Sequence, residues 1–222
     1  MSGLRTWFRC LGAWRLALCF VATLVVISIE LAIGNHVTPE LDEAGLAWLG
    51  DVIPPPLGRA LVVVYQVSGT RFTPLLVLAS LIDLILKRAW DELTWLSVGT
   101  AGFLLIVDRW LKPLFDRARP HETLVEVSGR SFPSDHATGA VVFYFLMCAF
   151  LSKRYPQWRR PLYIGSAIWV ALIWISTLNT RVHWPTHIVA GARVGFIWLS
   201  VCLTNWKLAA ARQSERNRVL AP

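Results

Sequence analysis

Long apolar runs, separated by short polar and basic connections, repeat along this chain. An α-helix needs about 20 residues to cross a bilayer core of about 30 Å, and fewer when it is partly buried in protein. Six runs come near that length, at roughly 12–34, 72–86, 93–111, 136–152, 161–179 and 187–206. The pattern predicts an all-α, polytopic membrane helical bundle of six transmembrane helices. Between the first two runs, residues 36–56 are polar, carry Pro54-Pro55-Pro56, and read as an external loop. An apolar stretch at 60–68 follows, too short to span, and is expected to lie at the interface or to cover a site. The organisation is a cytoplasmic N-terminus (1–11), a first helix with its external loop (12–69), a helical core (70–206) and a basic cytoplasmic tail (207–222).

Composition strengthens this picture. The 222 residues are 55% hydrophobic and 16% charged, too little polar surface to cover a soluble domain of this size. The same numbers exclude disorder, and no heptad or triplet repeat supports a coiled coil or collagen. Cys10, Cys19, Cys148 and Cys202 lie in or beside apolar runs without zinc-type spacing, so neither a disulfide framework nor a metal site is expected. The 12 tryptophans suit a protein with two membrane–water interfaces.

The net charge of +8 invites a nucleic-acid reading, which the distribution of charge removes. Basic residues cluster in the connections: Arg5 and Arg9, then Lys87 and Arg88, then Lys153, Arg154, Arg159 and Arg160, then Lys207, Arg212, Arg216 and Arg218. With six spans these segments share one side, and the positive-inside rule makes it the cytoplasm of a cell membrane. The first run is long, lacks a small-residue cleavage site, and reads as an uncleaved anchor. Lys112, Arg117, Arg119, Arg130 and Arg181 then fall on the opposite, outer side, against the rule. An anionic substrate would explain them.

Three segments meet at that outer face. They are Lys112 to Pro120, Ser131 to Ala137, and Ser176 to His187. Lys112 and Arg119 offer a point charge and a planar fork for phosphate oxygens. Ser134 precedes a helix, where its hydroxyl and unpaired backbone N–H groups make an anion site. His136, in the first turn, is placed to donate a proton to a leaving oxygen. His183 is a candidate nucleophile if another group holds its second ring nitrogen. His187, four residues on and after Pro185, is the natural holder in a helix. A metal at His183 and His187 would need a third ligand, and no Glu follows His183 as in a zincin, so no metal or cofactor is expected.

These residues resemble the type 2 phosphatidic acid phosphatase family of membrane phosphatases, related to vanadium haloperoxidases. Its first motif, lysine, six residues, Arg-Pro, is matched by Lys112 and Arg119-Pro120. Its second, Pro-Ser-Gly-His, reads Pro133-Ser134-Asp135-His136 here. Its third, Ser-Arg, five residues, His, three residues, Asp, keeps its length as Ser176-Thr177, His183 and His187. The resemblance covers about 70–220 and makes 70–206 the catalytic core. The Pro-Ser-Asp-His form is nearest to the undecaprenyl pyrophosphate phosphatase branch. Three departures stand out. Thr177 replaces arginine, and Arg181 is expected to supply the lost charge. Asp135 replaces glycine and is expected to pair with a cation such as Arg117. His187 replaces the aspartate that would orient the nucleophile, which predicts reduced activity.

The resemblance implies a metal-independent phosphatase acting on undecaprenyl pyrophosphate or a phospholipid phosphate. Its catalytic residues would be His183, His136 and His187, working through a phosphohistidine. Its phosphate ligands would be Lys112, Arg119, Ser134 and Arg181. Two alternatives remain open: a degenerate member that binds phospholipid headgroups, and a lipid phosphotransferase. The partners expected are the lipid substrate and membrane lipids, with no nucleic acid; oligomeric state is not legible.

Overall fold

Proline, glycine and capping residues punctuate the apolar runs and fix where each helix begins. A computed structural model of the protein describes residues 2–34, 38–69, 72–115, 117–120, 122–127 and 129–220. Asp116 of the first segment and residues 35–37 at the head of the predicted loop lie outside them. Helices α1 (Ser2–Leu11) and α2 (Ala13–Gly34) are separated by Gly12, whose φ of +82° is a left-handed conformation that costs glycine nothing. Next come α3 (Thr38–Val52), α4 (Pro55–Val67), α5 (Phe72–Leu86) and α6 (Trp90–Leu104). Helix α6 continues without a break through a π-helical stretch, Leu105–Leu111, into the short α7 (Lys112–Phe115). After a loop come α8 (Asp135–Arg154), a 3₁₀ turn (Pro156–Trp158), α9 (Arg159–Asn179) and α10 (Pro185–Leu220). No strand occurs among the described residues.

A helix occupies each of the six predicted stretches. Four helices are long and apolar enough to cross a membrane: α2, α8, α9 with its preceding 3₁₀ turn, and α10. A fifth is gained if α3 and α4 count as one broken span, bent by 118°. Helix α5 is apolar but has only 15 residues. The chain is thus a helical, multi-pass membrane protein, with four or five spans by length and composition rather than a demonstrated six.

Two expectations need correction. The stretch read as an external loop at 36–56 is largely the helix α3. Its polar residues alternate with a buried face made by Asp42 and Leu46, and the prolines mark the bend into α4 rather than a loop. The segment 207–222, read as a tail, continues α10 as far as Leu220.

The centre of the bundle is α8 against α10, with α6 and α9 on either side. Leu96 of α6, Val142 and Leu146 of α8, Ile173 of α9 and Cys202 of α10 are almost wholly buried together. Helices α8 and α10 approach closely because α10 carries Gly191 and Gly195 at a spacing of four. A Cβ at Gly191 would stand 2.5 Å from the Ser134 carbonyl oxygen, and one at Gly195 would stand 2.8 Å from that of Thr138. Small residues at this spacing let helix backbones meet. Thr138 Oγ1 closes the contact by donating to the Gly191 carbonyl at 3.0 Å. One turn before Gly191 stands His187, so this contact sets His187 beside Ser134.

Contacts across the bundle sort the connections into two ends. Lys153 pairs with Glu92 at 2.8 Å and lies over the Trp206 ring at 5.1 Å, gathering three basic regions at one end. Asp83, without an explanation in the sequence, pairs with Lys87 one turn away in that same region. At the other end Leu124 N–H donates to the Thr180 carbonyl at 3.0 Å, and Ser134 N–H to that of His187 at 3.2 Å.

Candidate active site

Helix starts supply most of the site. Ser134 caps α8: its hydroxyl accepts from Ala137 N–H at 3.3 Å, and its side chain is fully buried. The first turn of α8 then presents Asp135 and His136. Pro185 opens α10 and brings His187 into its first turn, while His183 sits in the tight link after α9. The three rings converge, with centroids 6.3 Å apart for His136 and His183 and 5.9 Å apart for His183 and His187. Phe132 packs edge-on against His187 at 5.2 Å.

His183 is 2% exposed, and burial pushes its pKa well below the ordinary 6.5. The neighbouring histidines and the charges of Arg119 and Lys112 act in the same direction. Arg119 and Lys112 of the first segment thus lie close enough to His183 to act on its charge. Arg119 donates through Nη1 to the Val182 carbonyl at 2.8 Å and through Nε to that of Gly129 at 3.2 Å. These bonds clamp the loop before α8 to the residue preceding His183. Burial lowers the Arg119 pKa from its ordinary value, opposed by Tyr65 and Asp135, and a guanidinium stays charged through such a shift.

Lys112 lies at the end of the π-helical stretch, where the wider winding alters the direction in which the next residue points. It pairs with Asp108 at 2.7 Å and makes a short hydrogen bond to Asp135. A cation such as Arg117 was expected beside Asp135; that cation is Lys112, while Arg117 is engaged with Asp42. Asp108 reaches Lys112 because i,i+4 neighbours share a helix face.

Arg181 and Thr177, two residues of the altered third motif, are engaged elsewhere. Arg181 has φ +54°, contacts Glu122 at 3.6 Å, and lines a separate cavity of about 220 Å³ with Glu43 and Trp184. Its charge does not figure among those acting on His183. Thr177, in the arginine position, is fully buried and bonds the Ile173 carbonyl of its own helix at 2.7 Å.

The expected hydrogen bond between His187 and His183 is not made. His183 Nδ1 and both ring nitrogens of His187 are buried without a hydrogen-bond partner, although the Ser131 backbone stands beside the His187 ring. Among the described residues no group of three His, Cys, Asp or Glu side chains converges to hold a metal ion.

A cavity of about 420 Å³ runs from this site into the bundle. Asp135 and His136 line it, and its wall is otherwise largely apolar, including Val77, Leu81, Phe103 and Phe143. From His136 to Phe143 is seven residues along α8, or about 10 Å.

Two residues were missed in the sequence because they fall in the segment read as loop and short apolar run. Tyr65 of α4 stacks on His136, with centroids 4.9 Å apart and planes 21° from parallel. Asp42 of α3 is fully buried and bonded to Arg117 and Thr186. Thr38-Pro39-Glu40 is a helix-start pattern that would have revealed α3.

No curated protein matches this chain. Among solved structures, the first transmembrane phosphatidylglycerolphosphate phosphatase of the PAP2 type, from Bacillus subtilis, has a similar fold. Its TM-score is 0.73 at 24% identity, covering 83% of this chain and 94% of that one. Residues 92–209, which hold all three motif segments and all three converging histidines, match the PAP2 superfamily, and the chain belongs to it.

Proposed function

We propose that this protein is a metal-independent lipid phosphatase, acting on a phospholipid phosphate or on undecaprenyl pyrophosphate at the outer face of the cell membrane. The observation that carries the reading is the convergence of His183 and His136, 6.3 Å apart, with Lys112 and Arg119 near enough to act on His183 and with His136 also lining an apolar cavity. Such a site suits a substrate with an anionic head and a long apolar tail. The tail would lie along α8 between α5 and α6, with the phosphate at Ser134, Lys112 and Arg119. That the solved relative is a phosphatidylglycerolphosphate phosphatase adds support for the phospholipid class.

His183 attacks phosphorus through Nε2, and the bond from phosphorus to the lipid oxygen breaks. His136 gives its proton to that oxygen. In the second step water attacks the phosphohistidine, His136 takes the water proton, and phosphate leaves with His183 restored. Lys112 and Arg119 stabilise the charge on the transferring group, the task Mg²⁺ performs in other phosphoryl-transfer enzymes. The basic connections gathered at the opposite end of the bundle support a cytoplasmic placement for that end.

The unpaired Nδ1 of His183 favours a second reading, a phosphate-binding relic with little or no turnover. One experiment separates the two. Phosphate release from phosphatidic acid, phosphatidylglycerolphosphate and undecaprenyl pyrophosphate is measured in EDTA for the wild type, His183→Ala and His187→Asp. An enzyme is expected to release phosphate, to lose this with His183→Ala, and to gain tenfold or more in kcat with His187→Asp. The last figure is conservative, since losing the carboxylate of an Asp–His pair can cost about 10⁴. Silence from all three proteins would establish the relic.

A further inference from the structure

We infer that Asp42, outside the region shared with the PAP2 superfamily, is a positioning residue for the histidine site. The inference deepens the phosphatase reading and rests on it for its kinetic test. Asp42 is a carboxylate with 1% of its side chain exposed. Burying such a charge is costly unless every oxygen is satisfied. Here Oδ1 accepts from Thr186 N–H at 2.9 Å, and Oδ2 accepts from Thr186 Oγ1 at 2.7 Å and Arg117 Nη2 at 2.8 Å.

Those donors belong to two of the three motif segments. Thr186 immediately precedes His187 and is three residues after His183. Arg117 is two residues before Arg119. Arg117 Nη1 also donates to Thr186 Oγ1 at 2.9 Å, and its guanidinium lies 5.7 Å from the Trp184 ring centre. Asp42 is therefore the junction at which α3 ties the phosphate-binding segment to the first turn of α10. The N–H it accepts is one that a helix start leaves unpaired, so the carboxylate also caps α10 from outside and favours its positive end.

The packing agrees. A Cβ at Gly45, one turn along α3, would stand 3.0 Å from Cγ of Pro185, so α3 lies directly on the residue that opens α10. Farther along the bent pair, the Gly58 carbonyl accepts from Asn179 Nδ2 at 3.0 Å, and Tyr65 stacks on His136. Residues 38–67 thus touch His136 itself and the segment that carries His183 and His187, and Asp42 is a charged contact among them. A shift of about 1 Å in a reacting group can cost 10²-fold in rate, which is the scale expected for losing this junction.

A structural role alone would also hurt Asp42→Asn, because Arg117 would keep a buried charge. The test therefore adds the double variant Asp42→Asn with Arg117→Met, which removes that charge together with its partner. Both are assayed for phosphate release from the lipid the wild type prefers, with thermal melting in detergent alongside. Asp42→Asn is expected to lose about 100-fold in kcat with KM within about threefold, and Asp42→Glu to recover part of it. The double variant is expected to regain melting temperature but not kcat. A kcat within about twofold of wild type in Asp42→Asn, or one restored with melting temperature in the double variant, would overturn the inference. If the wild type turns over no lipid, the phosphatase reading fails by itself. Asp42 is then judged by carbethoxylation of His183 with diethyl pyrocarbonate, read by mass spectrometry. About fivefold faster modification in the double variant is expected if the segment is released, and an unchanged rate would overturn the inference.

Discussion

His183 concentrates the physical demands of this site in one ring. It is almost fully buried, with two histidines and two cations nearby, and each of these disfavours its protonated form. The nucleophile proposed above must be neutral, and these surroundings favour the neutral ring at neutral pH. The folded-state pKa lies below the ordinary 6.5, and the acid limb due to His183 in kcat/KM is expected well below pH 6.5. The sign for stability follows from the same shift. Above pH 6.5 the imidazole is neutral in both states and its contribution is intact. As pH falls further, the unfolded chain takes the proton first, and stability is lost down to the folded pKa. Melting in detergent at pH 7.5 and 5.5 checks this. The wild type is expected to lose more between these values than His183→Gln, and an equal loss would mean that the ring is more solvated than its burial implies. That His136, His183 and His187 would meet was legible from the motif spacing. The partners of Asp135 and Arg117 were not legible, since each depends on which helix passes nearby.

At the scale of elements, the meeting of α8 and α10 decides whether the histidines share a site at all. The third motif has two registers in the sequence, because Arg181 stands as far before His187 as the family's arginine does before its histidine. In the second register Gly191 would occupy the aspartate position, and the structure gives Gly191 another task. It permits α10 to pass over the Ser134 carbonyl, where a Cβ would stand 2.5 Å away. Gly191→Ala must push α10 outward or strain the α8 start, and overpacking of this kind costs about 1–3 kcal/mol. It is expected to lower the melting temperature and to reduce kcat more than KM, because His187 and Ser134 separate together. Gly165→Ala is the control, since a Cβ there meets nothing within 4 Å and alanine favours a helix. Equal behaviour of the two variants would remove the close approach from the argument. Helix positions were legible from apolar runs: the predicted 72–86 coincides with α5, and 161–179 nearly with α9. Helix α3 was not, because polar composition outweighed its start signal and the burial of its Asp42 face depends on partners 75 and 144 residues away.

At the scale of the whole molecule, the asymmetry of charge and the asymmetry of chemistry coincide. Lys153, Glu92 and Trp206 meet at one end, and Cys10 lies near enough to Lys207 for the two to interact electrostatically. The histidines and the exposed Glu126 loop belong to the opposite end, tied down by Leu124 on Thr180. Positive charge near short connections is retained in the cytoplasm, which supports the proposal that the histidine end faces outside. The cations at that end then need the compensation they have, with Lys112 on two carboxylates and Arg117 on Asp42. The orientation predicts a labelling pattern. Cys10 is exposed, whereas Cys148 and Cys202 are buried, so Cys10 reports one end and Glu126→Cys the other. A membrane-impermeant maleimide applied to intact cells, with site occupancy read by mass spectrometry, is expected to modify Glu126→Cys and leave Cys10 untouched until the membrane is opened. The reverse pattern would turn the catalytic end toward the cytoplasm. The substrate phosphate would then be presented from the inner leaflet, and the basic connections would need an explanation other than topology.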